Sequence, residues 1–254
     1  MIRFENVTKR LGSRNVLDGF DMEVKVGEAL VICGPSGMGK SVTLKHMVRL
    51  LTPDSGRVMV GDDCVSEARG RELERIRSRF GVLFQSGALL QWLSAGENVA
   101  LPLREHTNMS DTEIERLARE KLRMVELEDA FDRAPSDLSG GMRKRVALAR
   151  AIVTNPEIVL YDEPTSGLDP VTSRTVDELI DHLRKQLGIT SVVVTHDLHS
   201  ALAIGDRIAM LHNGKAVEVS APAEFINSKN EVVRGFLEAQ YITRRGPWEE
   251  GLQK

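Results

Sequence analysis

The chain has 254 residues, 41% hydrophobic and 28% charged, which is enough length and apolar content for a large core with a subdomain. Its formal net charge of -3 lacks the basic excess of a nucleic-acid binder, so no nucleic acid is expected as a partner. Two cysteines, Cys33 and Cys64, no long apolar run and an opening "MIRFENVTKR" without an apolar signal core predict a cytosolic chain that neither spans a membrane nor carries an export signal.

In chain order, "IRFENV" and "LDGFDMEVKV" alternate like two strands separated by a Gly-containing turn. "EALVICG" is a continuous apolar run, the pattern of a strand buried on both faces. Residues 40–51, "KSVTLKHMVRLL", have helical spacing and are closed by "TPDSG"; "GVLF" at 81–84 is a short strand. Just after it, Ala88, Leu89, Leu90, Trp92 and Leu93 crowd together at a spacing that fits neither helix nor strand. From about 97 to 154 the pattern is helical, with Ser110 and Glu113 set as a helix-capping pair. "EIVLYDEP" and "TSVVVTH" return to strand. Strands alternating with helices predict an α/β fold, with a parallel sheet covered on both faces and a helical insertion. The tail from about 222 reads as short helices, "AEFINSK" and "NEVVRGFLEAQ", then a polar end broken by Gly and Pro.

"GPSGMGKS" follows a buried strand and opens a helix, the context that gives G-x-x-x-x-G-K-[ST] its meaning. Gly34, Pro35, Ser36, Gly37, Met38 and Gly39 form a loop whose glycines let backbone N–H groups curl round a phosphate. The helix entered through Lys40, Ser41 and Val42 aims roughly half a positive charge at the anion. Lys40 is expected to reach the β- and γ-phosphates of ATP, and the Ser41 hydroxyl to ligate Mg²⁺. The plain alternative is a Gly-rich turn matched by chance. "IVLYDEP" delivers two carboxylates to the end of a buried strand, where ligands gather in open α/β sheets. Asp162 is expected to hold Mg²⁺ directly or through water, and Glu163 to polarise an attacking water; an acidic turn is the alternative. "VVVTHD" brings His196 to another strand end, either to bond the γ-phosphate or attacking water, or as a core histidine.

"DLSGGMRKRVALARA" resembles the signature segment of ATP-binding-cassette (ABC) ATPases, with Met142 where that family usually has Gln. Gln85 matches the family's Q-loop glutamine, "SGLD" (Ser166 to Asp169) its D-loop and His196 its switch histidine. The resemblance covers about residues 2–220. It implies a P-loop cassette with a mixed core sheet, flanking helices, an N-terminal antiparallel β part and a helical subdomain insertion. The implied boundaries are a single ATPase domain at 1–220, with a RecA-like core (1–85 and 156–220) and a helical subdomain (about 86–155), and a helical extension at 221–254. It also implies an ATP-sandwich dimer, in which Ser139, Gly140 and Gly141 of one copy close over the nucleotide on the other. Gln85 would report Mg²⁺ and γ-phosphate status, and Asp169 would cross the dimer interface. The family's adenine-stacking aromatic falls near Leu11, so Leu11 and Val16 would give apolar contact without a π-stack, and loose base selectivity. Arg143, Lys144 and Arg145 read as a solvated helix face.

"LFQSGAL" with "NVALPLREHT" is similar to the ATPase subunit of Mla-type phospholipid transporters. That resemblance implies permease chains docked in the Q-loop groove, an MCE-domain lipid-binding protein, in some members a STAS-domain regulator, and a peripheral position on the cytoplasmic side of the inner membrane; the alternatives are the ATPase of another importer or exporter and a non-transport, clamp-type cassette. Leu89, Leu90, Trp92 and Leu93 are candidates for lining the groove or for packing inside the helical subdomain. The tail stripe of Val232, Val233, Phe236 and Leu237 would dock on its own domain or on a neighbouring chain.

Overall fold

The computed structural model describes residues 1–240 and 242. Along the chain run β1 (Ile2–Leu11), β2 (Arg14–Val24), β3 (Ala29–Cys33), α1 (Lys40–Met47), β4 (Ser55–Val60), β5 (Asp63–Cys64), α2 (Gly70–Arg77) and β6 (Phe80–Leu83). Next come α3 (Ala95–His106), α4 (Asp111–Met124), α5 (Gly140–Ile152), β7 (Ile158–Asp162), α6 (Pro170–Leu187) and β8 (Thr190–Val194). The chain then continues through α7 (Leu198–Ile204), β9 (Arg207–His212), β10 (Lys215–Ser220), α8 (Pro222–Ile226) and α9 (Glu231–Ala239). None of these helices is long and apolar enough to cross a membrane. The chain divides into two compact units, Met1–Glu67 with the described residues from Val194 onward, and Ala68–Val193.

In the first unit, β1 pairs antiparallel with β2 and β4, with register shifts along β1 between Phe4 and Arg10, in a sheet ordered β2-β1-β4-β5. Ile2 faces Val24 and Phe4 faces Met22, while the Phe4 and Phe20 rings meet edge to face at 5.3 Å. A second layer sets β10 antiparallel to β9 and β9 parallel to β3. The sheet is therefore mixed, as the family resemblance implies, where the alternation of strands with helices by itself predicts a parallel one. The reason is local: Asn213 and Gly214, at φ 47° and 75°, supply the two left-handed residues of a tight hairpin, and β10 must return antiparallel. The Asn-Gly pair was a readable signal for this hairpin.

In the second unit, β6 runs parallel to β7, Phe80 beside Ile158, with β8 on the other side of β7. Between β6 and β7 lie α3, α4 and α5. Ser94 and Glu97 close a reciprocal cap on α3, and Ser110 caps α4 through the Glu113 N–H, at the pair expected from sequence. Helix α1 ends at Met47, four residues short of the expected 40–51, because Leu50 and Leu51 N–H groups both turn back to the Lys45 carbonyl.

Candidate functional site

The phosphate loop joins β3, wholly buried, to α1. Two glycines are fixed by close approach. A Cβ at Gly34 would stand 2.5 Å from the Leu211 carbonyl oxygen, and one at Gly39 2.7 Å from Val16 Cγ1. Both also hold positive φ, 147° and 98°, which only glycine adopts without strain. Val16 thus lies against the loop itself, and Leu11 stands 44% exposed near the tip of the β1–β2 hairpin. Lys40 is buried, its Nζ donating to the Gly34 oxygen at 2.9 Å and the Pro35 oxygen at 3.2 Å. The ammonium is folded onto its own loop, where an entering phosphate can replace carbonyl oxygens as its acceptor. Pro35 and Met38 are half-buried, Ser36 and Gly37 exposed, and Ser41 and Val42 half-buried in the first turn of α1, which carries no acidic residue to repel an anion. Arg14, unremarked in the sequence, brings Nη2 to 3.4 Å from Met38 Sδ. Burial pushes the Cys33 thiol up to about 12, so it serves as an apolar filler at the end of β3.

In the same unit the Thr195 N–H donates to the Ile32 oxygen, which sets the residue before His196 beside β3. His196 is exposed, so the core-histidine alternative falls away. Its carbonyl accepts from Gln240 Nε2 at 2.7 Å, while Gln240 Oε1 accepts from the Leu198 N–H at 2.9 Å. One amide at the end of α9 therefore brackets the His196 loop. The described part of the tail docks on its own unit, with Val233 and Leu237 fully buried and Val232 and Phe236 half-buried. The expected polar end at 243–254, including Trp248, lies outside the described residues.

The second unit gathers the other candidates. Asp162, half-buried, ends β7, and Glu163, buried, follows at φ 50°. A left-handed glutamate is strained, and such strain gathers at functional sites. Gln85 is exposed, its side-chain amide 3.4 Å from Ser166 Oγ. Ser139 caps α5, accepting from the Met142 N–H at 3.2 Å, so the free N–H groups of Gly140 and Gly141 open the helix. Gly141 is pressed against α6, since a Cβ there would stand 2.4 Å from Thr172 Cγ2. Asp169 caps α6, accepting from the Val171 and Thr172 N–H groups and from the Thr172 hydroxyl, and these donors hold its carboxyl below the usual range. A capping role for Asp169 was legible in "DPVT" and was missed.

One expectation is overturned. Arg143 is exposed and Arg145 half-buried, but Lys144 is buried. Its Nζ donates to the Gln85 oxygen and, at 3.1 Å, to the Glu163 oxygen. Burial lowers its pKa, while the Glu163 and Asp162 carboxylates favour the charged form. The physical reason is helical period: Lys144, Leu148 and Ala151 share one inward stripe of α5. Arg150, from the same helix, donates to the Gly87 and Ala88 oxygens at 2.6 and 2.7 Å. Buried Asn98 donates to the Leu90, Leu93 and Ser94 oxygens and accepts from the Leu90 N–H. These bonds explain why the apolar cluster has no regular period: its backbone groups are paired to side chains. Leu89 is buried, Leu90 and Leu93 are half-buried, and Trp92 stands 78% exposed.

Comparison with known proteins identifies the family. The family model described as ABC transporter matches residues 17–166. A Mycobacterium leprae protein named "Probable ribonucleotide transport ATP-binding protein mkl" is 39% identical over 249 residues, 98% of this chain and 72% of its own length. A Haemophilus influenzae protein named "Intermembrane phospholipid transport system ATP-binding protein MlaF" is 37% identical over 240 residues, 94% of this chain and 91% of its own. A solved ATP-binding cassette, a dimer in a post-hydrolysis state bound to ADP and Pi, superposes with a TM-score of 0.79 at 37% identity, over 87% of this chain and 99% of its own. On the match over residues 17–166 and relatives 37–39% identical over nearly the whole chain, this protein belongs to the ABC transporter family and is an ATP-hydrolysing cassette of it.

Proposed function

We propose that this chain powers phospholipid transport in a bacterial envelope system, as a pair of cassettes beneath integral membrane permease chains. The observation that carries the reading is end-to-end similarity to the Haemophilus influenzae MlaF protein, over 94% of this chain and 91% of that one. The exposed Trp92 in the loop after Gln85 supports a permease contact, since protein interfaces are enriched in Trp. An MCE-domain lipid-binding protein and a STAS-domain regulator are the further partners this reading calls for. A ribonucleotide cargo is the second reading, favoured by the name of the mycobacterial relative.

Hydrolysis in this reading is in-line attack of water on the γ-phosphate of ATP. The loop N–H groups from Gly34 to Gly39 hold the phosphates, and Lys40 exchanges its carbonyl acceptors for phosphate oxygens as charge spreads over them. Glu163 is the general base and His196 bonds the γ-phosphate. The Ser41 hydroxyl, the Asp162 carboxylate and the Gln85 amide oxygen are hard donors of the kind Mg²⁺ takes alongside phosphate and water. The ion, when bound, draws charge from the phosphoryl oxygens. Ser139, Gly140 and Gly141 of the second copy close the pocket, Asp169 faces that copy, and the 86–155 segment carries the permease groove. The experiment is purification of the chain from its native membranes, with identification of bound chains and cargo. Two permease chains with phospholipid support the reading; a ribonucleotide or another solute carrier overturns the lipid cargo.

A further inference from the structure

Two strand ends are joined by a single buried cation. β6 ends at Leu83 and leads to Gln85; β7 ends at Asp162 and leads to Glu163. The carbonyls of Gln85 and Glu163 both accept from Lys144 Nζ, which arrives from the second turn of α5. An ammonium carries three donors and no acceptor, so it can serve two converging carbonyl oxygens at once. The acceptor on Glu163 is its own main-chain oxygen, in a residue held at φ 50°. That left-handed backbone sets the direction in which the Glu163 side chain leaves the strand end. With the donor gone, relaxation of Glu163 toward negative φ would re-aim the carboxylate. Arg150 pins the next carbonyls of the Gln85 loop, at Gly87 and Ala88, so the loop is a firm anchor for the bridge.

We propose that Lys144 is a positioning residue for hydrolysis, stapling the Glu163 main chain to the loop at Gln85 so that the Glu163 carboxylate is aimed at the attacking water. This rests on the reading of Glu163 as general base. Lys144 touches no nucleotide in this role; it acts through Glu163. It also joins the signature helix, the Gln85 loop and the general base in one hydrogen-bonded unit, so that displacement of the loop alters the base.

The test compares the full-length protein with Lys144→Met and Lys144→Arg, measuring steady-state ATPase kinetics and the Kd for ATP. Methionine keeps length and loses every donor; arginine keeps several. The expected result is kcat lowered about 10- to 100-fold in the methionine variant, as for a misplaced catalytic group. The Kd for ATP should stay within about threefold, with most of kcat returning in the arginine variant. Wild-type kcat in Lys144→Met overturns the proposal. So does a parallel loss of ATP affinity and kcat that arginine does not rescue, since that is a folding role. If the methionine variant does not fold, Lys144→Gln, with one amide donor, decides by the same split: lowered kcat with ATP affinity kept supports it, unchanged kcat overturns it. Glu163→Gln is the control for the underlying reading. If Glu163→Gln turns over normally, the general-base assignment fails; if it is inactive while Lys144→Met is normal, only the staple fails.

Discussion

At the scale of single residues, Leu11 and Val16 bear on the expectation of loose base selectivity. Leu11 is exposed and Val16 lies against Gly39, and neither offers a π-face to a purine. A missing stack costs about 1 kcal/mol, less than tenfold in affinity. GTP should therefore support turnover within about tenfold of ATP, and Leu11→Tyr should widen the gap; a hundredfold preference for ATP in the wild-type assay would contradict this. His46 carries a second prediction. Burial holds its imidazole below the ordinary value, the Val42 oxygen accepting from Nδ1–H works the other way, Lys9 adds to the lowering and Asp54 opposes it. A base with a depressed folded pKa binds fewer protons folded than unfolded. Its contribution to stability is intact above the unfolded value of 6.5 and is lost as pH falls toward the folded value. Denaturant melts at several pH values should show a shallower acid loss in His46→Asn than in wild type.

At the scale of elements, the tail is part of the first unit and not an appendage. Ser228 bonds Glu218 on β10, Asn230 caps α9 and reaches the Val217 oxygen, and Phe225 of α8 is wholly buried. Of the two dockings the sequence allowed, the described residues show the one onto the chain's own unit. Deleting residues from 228 onward removes the burial of Val233 and Leu237, worth about 1.5–3 kcal/mol each, so the melting temperature should fall. Gln240→Ala is the finer probe. It removes two hydrogen bonds at the His196 loop, each worth about 1 kcal/mol net, while leaving the apolar face of α9 intact. The expected outcome is a severalfold lower kcat with a melting temperature lowered by about 4–8 °C; equal kcat would show that the bracket does not serve turnover.

At the scale of the whole molecule, one chain holds a lysine-bearing glycine loop at 34–41 and a separate serine–diglycine helix start at Ser139, and the proposed sandwich uses both on one nucleotide. The sandwich dimer proposed above makes activity depend on association. Specific ATPase activity should rise with protein concentration, and Ser139→Arg should suppress it without weakening ATP binding by the isolated chain. Activity that is constant on dilution and indifferent to that substitution would overturn the dimeric pocket.

The sequence alone determined the elements whose cause is local. Glycines at 34 and 39, the buried runs of β3, β7 and β8 and the Ser110 cap follow from backbone sterics, side-chain period and capping, which act over a few residues, while the segment at 138–142 was legible through its family resemblance. It also exposed the Asn-Gly hairpin and the Asp169 cap to a closer reader. Only the tertiary structure decided which polar groups meet from far apart in the chain. Lys144 and Gln85 are 59 residues apart, and Gln240 and His196 are 44. No period or motif encodes those meetings, because a buried carbonyl accepts whatever donor the packing of helix on strand brings to it.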